Sequence, residues 1–146
     1  MTLLNTLNLT YPIVQAPMAG GATTPELISC VSNFGGLGSL GAGMTAPDVL
    51  NSQINTIKTL TERPFMVNLM VLSEYESSTF DTEMPAWLSQ YYQDNNIEVA
   101  LPERPAQNFA DQLQVLYDNP VPVASFTFGI ISAEQVQRLQ RLGTRV

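Results

Sequence analysis

Pro64-Phe65-Met66-Val67-Asn68-Leu69-Met70 is an almost continuous apolar run with one polar interruption, preceded by a segment of helical period. A strand with one wet face alternates apolar and polar residues. A run without alternation marks a strand covered on both faces, as in a parallel sheet. Asn68 near its C-terminal end is then the informative residue. A lone amide in a doubly buried strand costs free energy unless it meets a partner, so it either satisfies a neighbouring group or faces a ligand. Its place in the strand favours the ligand.

Working outward, the same rhythm of short apolar runs and helical segments repeats. Upstream, Thr45 is placed to cap a helix with Asp48 as its third-position acid, and Leu50, Ile54 and Ile57 form the buried stripe. Before it, 37–40 reads as a strand and Gly35-Gly36 as a helix stop. Thr24 and Pro25 form a cap and first helical position, with Leu27, Ile28, Val31 and Phe34 directed to the core. The segment 12–16 is the first strand and Gly20-Gly21 the loop after it. Downstream, Phe109, Leu113, Leu116 and Tyr117 mark a helix closed by Asn119-Pro120, and 121–128 is the fourth strand. Ser132 with Gln135 makes a capping box, Gly143 sits at a helix end, and 144–146 approaches a fifth strand. Four successive βα units predict an α/β fold with a parallel sheet. Residues 73–104 break the pattern, being polar, acidic and aromatic, with Trp87, Leu88, Tyr91 and Tyr92 on one side of a short helix. An insertion on the C-terminal side of a strand reads either as a lid or as a surface excursion.

Composition narrows the function. With 146 residues the chain can bury roughly 68–70% of its unfolded surface, enough for one domain. It contains no His, which excludes a Ser-His-Asp or Cys-His nucleophile, a His metal ligand and a His base from this chain. A net charge of -7 with six Lys and Arg gives no footprint for nucleic acid or an anionic membrane. Cys30 has no partner for a disulfide and lies in an apolar periodic run, so it is expected to be a buried small hydrophobe in a reducing compartment. The N-terminal segment lacks the features of a leader, and no stretch reaches the ~18 apolar residues of a membrane helix, so the expectation is a soluble cytoplasmic protein.

Gly36-Leu37-Gly38-Ser39-Leu40-Gly41 matches G-x-G-x-x-G, and Gly41-Ala42-Gly43-Met44-Thr45-Ala46 its variant, with Glu62 further on. Dinucleotide binding needs a strand before the glycines, a helix opening within them and an acid ending the next strand. Here the strand lies inside the first match and Glu62 precedes the next strand. The glycines are therefore read as steric: they let the second strand approach its neighbours and turn the chain.

Four separated strings, Tyr11 to Gly20 (YPIVQAPMAG), Val31 to Gly43 (VSNFGGLGSLGAG), Arg63 to Leu69 (RPFMVNL) and Ser125 to Gly129 (SFTFG), together resemble the nitronate monooxygenases, formerly 2-nitropropane dioxygenases. The resemblance implies parallel (β/α) units of a TIM barrel, truncated here after about four βα units. Residues 1–146 would be the N-terminal half of an FMN-dependent (β/α)8 barrel, with 73–104 a lid-like insertion within it. Such barrels need ~250 residues or more. The implied reaction is FMN-dependent oxidation of alkyl nitronates by O2 to a carbonyl compound and nitrite. The implied flavin contacts are Pro17, Met18, Ala19 and Asn68. The family's catalytic histidine and phosphate loops belong to the second half, so this chain supplies no catalytic histidine, and no metal is implied. Two other readings stand beside this one. One is a non-catalytic half-barrel that self-associates or pairs with a partner chain through its exposed edges; the other is an FMN-dependent enoyl-acyl-carrier-protein reductase-like protein.

Overall fold

Three parallel strands, β1 (Gly38–Gly41), β2 (Phe65–Met70) and β3 (Val123–Thr127), pair in chain order, β1 with β2 and β2 with β3. The computed structural model describes residues 2–71, 84–98 and 108–146. The chain divides into two compact units, Met1–Leu72 with Ala106–Val146, and Ser73–Pro105. The helices in chain order are α1 (Leu3–Leu7), α2 (Pro25–Asn33), α3 (Pro47–Leu60), α4 (Ala86–Asp94), α5 (Phe109–Asp118) and α6 (Ala133–Arg141).

Two single bridges extend the order at each edge. Val14 pairs with Leu37, and Arg145 pairs with Val123, both parallel. The order of parallel positions across the first unit is thus the order of the chain, as successive βα units produce. The predicted strand over 12–16 is shorter than expected: Gln15 N–H donates to Leu37 O and Leu37 N–H to Ile13 O, and there the ladder stops. The Gln15 side chain continues it instead. Its Oε1 accepts from Ser39 N–H at 2.9 Å and its Nε2 donates to Ser39 O at 3.2 Å. Ile13 and Val14 are more than half exposed, so this segment is not covered on both faces.

The core lies between the sheet and the helices. Phe65, Val67 and Leu69 of β2, with Leu40 and Ala124, meet Ile28, Leu50, Ile54, Ile57, Leu113, Leu116 and Leu139. Strand alternation puts Met66, Asn68 and Met70 on the opposite face. The predicted α3 stripe of Leu50, Ile54 and Ile57 is fully buried.

Three local expectations are corrected. Thr45 does not cap α3: the cap residue is Ala46, and Pro47 occupies the first turn. A residue before proline is pushed to extended backbone, so the helix cannot open earlier. Phe34 is 78% exposed and Leu27 is also exposed, because α2 packs through Ile28, Ser29 and Ser32. The reason is Gly38, where an added Cβ would stand 2.2 Å from the Ile28 carbonyl oxygen. Helix and strand touch backbone to backbone, which only small residues permit. Cys30 is exposed, not buried. It lies two positions from Ile28, about 200° around the helix.

Caps elsewhere follow the sequence. The Thr24 hydroxyl accepts from Leu27 N–H, and α2 ends with Gly35 N–H donating to Ser32 O and Gly36 N–H to Val31 O. Ser132 and Gln135 form the reciprocal capping box of α6, and Gly143 takes φ 89° after it. Arg138 of α6 stacks 3.8 Å over the Tyr117 ring of α5.

In the second unit α4 carries Trp87, Leu88, Tyr91 and Tyr92 as expected, with Tyr91 and Tyr92 edge to face at 6.4 Å and no residue buried. The rest of the segment expected to be a lid-like insertion, 73–83 and 99–104, lies outside the described residues.

Candidate functional site at the C-terminal ends of the strands

Gly41 closes β1, and its partner in the ladder is Asn68, whose partner in turn is Ser125. The backbone of Met18 lies over Gly41: an added Cβ there would stand 2.5 Å from the Met18 carbonyl carbon and 2.7 Å from its nitrogen. Met18, Gly41, Asn68 and Ser125 therefore form one row across the C-terminal ends of the strands. Three of the four strings singled out in the sequence meet there, and the fourth, 125–129, ends it.

The turn after the first strand is held by Thr23. Its hydroxyl donates to Met18 O at 3.0 Å and accepts from Gly41 N–H at 3.0 Å. Thr23 is 2% exposed. Pro17 and Ala19 are half-buried and Met18 is 42% exposed. The amides of Met18, Ala19 and Gly20 donate to no acceptor among the described residues. A turn with three uncommitted donors beside an exposed thioether suits an apolar ring with acceptors along its edge.

Asn68 has the partner its burial demands. Its Nδ2 donates to Ser125 Oγ at 2.8 Å, and Thr127 Oγ1 lies 3.5 Å from its Oδ1, at the edge of bonding. Among the described residues the amide's second N–H and most of its carbonyl capacity have no further partner.

The next loop is fixed from a distance. Gln112 of α5 is buried and donates through Nε2 to Ala42 O and Thr45 O, both at 2.8 Å. Thr45 N–H also donates to Ala42 O at 2.9 Å. An added Cβ at Gly43 would stand 2.4 Å from Met70 Cγ, so the β1 loop packs on the last side chain of β2.

At the end of β3 the backbone is bent sharply. Phe128 has φ 66°, a left-handed value uncommon for a bulky residue. Val71 N–H donates to Thr127 O at 2.8 Å, and a Cβ on Gly129 would stand 2.7 Å from Val71 O. The Phe128 ring is 76% exposed at this mouth. Strained backbone of this kind clusters at ligand sites.

Thr23, Gln112, Ser125 and Phe128 are the positions that sequence reading did not single out. Ser125 and Phe128 lay within a quoted string. Thr23 and Gln112 carried no signal, because their partners are backbone atoms of distant segments. Among the described residues no group of three or more His, Cys, Asp or Glu could hold a metal ion, and no helix is long and apolar enough to cross a membrane. Two surface depressions, of about 380 and 630 Å³, share Lys58, Thr61, Glu62 and Arg63 and sit at the opposite end of the sheet. Neither touches the row.

A family model described as nitronate monooxygenase matches residues 1–146. A probable nitronate monooxygenase of Staphylococcus saprophyticus is 42% identical over 138 residues, covering 92% of this chain and 38% of the relative. One of Staphylococcus haemolyticus is 42% identical over 142 residues, covering 94% of this chain and 39% of the relative. Among solved structures, a nitroalkane oxidase from Streptomyces ansochromogenes superposes with a TM-score of 0.79 at 36% identity, over 97% of this chain and 40% of that one. FabK from Thermotoga maritima gives 0.65 at 26% identity, over 97% of this chain and 34% of that one. The chain thus spans about two-fifths of the length of these relatives.

Proposed function

Since this chain belongs to the nitronate monooxygenase family, we propose that it forms the N-terminal part of an FMN-dependent (β/α)8 barrel that oxidises alkyl nitronates with O2 to a carbonyl compound and nitrite. The observation that carries the reading is the row in which the Met18 turn, Gly41, Asn68 and Ser125 meet at the C-terminal ends of parallel strands. Barrel ligands bind at that end.

The residues fit an isoalloxazine in kind. The amides of Met18, Ala19 and Gly20 offer donors to its polar edge, and the Asn68 amide offers one donor and one acceptor. Pro17 and the Met18 thioether supply apolar surface for its face. Bound FMN would supply the electron acceptor for the nitronate and, once reduced, the reductant for O2. The chain's own part is to orient the ring, with Thr23 and Gln112 holding the two loops that border it. The chain has no His, and withdrawal of a proton from a neutral nitroalkane needs a base tuned near the working pH. No residue of this chain is assigned that step, because the family's catalytic histidine is expected in the second half, and the chain spans about two-fifths of its relatives. We assign 73–104 the role of a lid-like insertion, and place the protein in the cytoplasm.

The test is to equilibrate the purified chain with FMN, remove free flavin by gel filtration, and follow oxygen uptake and nitrite release on adding an alkyl nitronate. Retained flavin absorbance is expected; none retained, with no oxygen uptake, would remove catalysis by this chain from the reading. Bleaching of bound flavin by NAD(P)H would favour the reductase reading instead. Light scattering tests the half-barrel edges: self-association is expected, and a monodisperse monomer of 16.0 kDa would contradict it.

A further inference from the structure

Asn68 and Ser125 stand opposite each other in the β2–β3 ladder, and the hydrogen bond between them joins two strands whose residues lie 57 positions apart. A primary amide carries two N–H groups and a carbonyl with two lone pairs; a hydroxyl carries one O–H and two acceptor sites. The 2.8 Å contact from Asn68 Nδ2 to Ser125 Oγ uses one of each. Among the described residues the second Nδ2 hydrogen has no acceptor, Oδ1 has the distant Thr127 hydroxyl at 3.5 Å, and Ser125 Oγ donates to nothing.

We infer that Ser125 is a positioning residue: through its bond to Nδ2 it holds the plane of the Asn68 amide in place, and together the two side chains present a mixed donor and acceptor edge to a planar heteroaromatic ligand. Without Ser125 the amide loses its 2.8 Å anchor on β3 and is free to rotate about its Cβ–Cγ bond. The ligand class, a fused ring with alternating N–H, C=O and ring nitrogen along one edge, rests on the flavin reading above. The coupling of Ser125 to Asn68 does not.

The experiment uses the full chain, Ser125→Ala and Ser125→Thr, with two readouts. The first is the Asn68 side-chain amide pair in a proton–nitrogen correlation spectrum without ligand. One proton should be protected from solvent exchange in the wild type, S125A should lose that protection and shift the pair, and S125T, which keeps the hydroxyl, should restore it. The second is FMN affinity by quenching of flavin fluorescence, where S125A should bind roughly three- to tenfold more weakly, the range of one net hydrogen bond, and S125T should lie within about twofold of the wild type. Two Asn68 protons exchanging equally fast in the wild type would overturn the inference without recourse to any variant, and so would an S125A amide pair unchanged from the wild type. Equal FMN affinity of S125A and the wild type would overturn the ligand-facing half. If the wild type takes up no FMN, the flavin reading fails and the amide spectrum alone decides the role of Ser125.

Discussion

Adding one methyl group at each of three glycines should have three different outcomes, set by what the new Cβ meets. At Gly38 it would stand 2.2, 2.8 and 2.8 Å from the O, C and Cα of Ile28, all backbone atoms of a packed helix. Ordinary contact begins near 3.4 Å, so α2 must move by more than an ångström as a body while Ile28 is fully buried. Overpacking of this kind costs about 1–3 kcal/mol, and a rigid backbone neighbour puts Gly38→Ala at the upper end. At roughly 2–4 °C per kcal/mol for a chain of this size, the melting temperature should fall by about 6–12 °C. At Gly43 the nearest atoms the Cβ would meet are Met70 Cγ, Sδ and Cε, the far part of a flexible thioether. Gly43→Ala should cost less than about 1 kcal/mol. At Gly41 it would meet the Met18 backbone at 2.5 Å, in a loop held by the Thr23 hydroxyl. That loop can yield, so stability should fall by an intermediate amount while FMN affinity falls more than in either other variant. Thermal melts by circular dichroism and FMN titrations on the three variants check this. A Gly43→Ala variant melting as low as Gly38→Ala, or a Gly41→Ala variant binding FMN like the wild type, would refute the reasoning.

Thr23→Val should cost about 1–3 kcal/mol in a denaturant titration, because it leaves the buried Gly41 N–H without an acceptor while keeping the side-chain shape. Gln112→Leu should cost a similar amount and speed amide exchange at Thr45, since the carbonyls of Ala42 and Thr45 both lose their side-chain donor. Phe128→Gly should leave the melting temperature unchanged or slightly higher, because relief of a left-handed φ worth about 1–2 kcal/mol offsets glycine's backbone entropy. Its FMN affinity should fall if the exposed ring borders the ligand. Glu26, in the first turn of α2, is held below the ordinary 4.5 by its own backbone N–H and then by the Thr24 hydroxyl. A depressed folded value stabilises above the unfolded value and is lost as pH falls through the folded one. Glu26→Gln should therefore melt below the wild type near neutral pH, and the gap should close as the pH is lowered below 4.5.

The helices that bury large apolar residues were legible from spacing. Leu50, Ile54 and Ile57 of α3 and Leu113 and Leu116 of α5 occupy the core where periodicity placed them. α2 was legible at Ile28 but not at Leu27 and Phe34, which are exposed because the helix packs otherwise through Ser29 and Ser32 against a glycine strand. Hydrophobic periodicity reports the large side chains, and a close backbone approach removes them from the contact. Asn68 was legible because one polar residue in an apolar strand has few explanations. What held it was not: Ser125 pairs with it through a register no local pattern specifies. Thr23 and Gln112 bond to carbonyls and amides, which leave no trace in residue type.

The glycine string shows how one pattern can serve opposite ends. In a dinucleotide site the glycine amides stay free and cradle phosphate oxygens. Here Gly36 N–H donates to Val31 O, Gly38 N–H to Ser32 Oγ and Gly41 N–H to Thr23 Oγ1. All three amides are consumed inside the chain, so none remains for an anion. What matters instead is the missing Cβ atoms, Gly38 admitting α2 and Gly41 admitting the Met18 turn. Uncommitted donors lie one loop away, at Met18, Ala19 and Gly20, whose amides face no internal acceptor among the described residues. The glycines thus shape the site by letting another segment of the same chain reach the row that ends in Asn68 and Ser125.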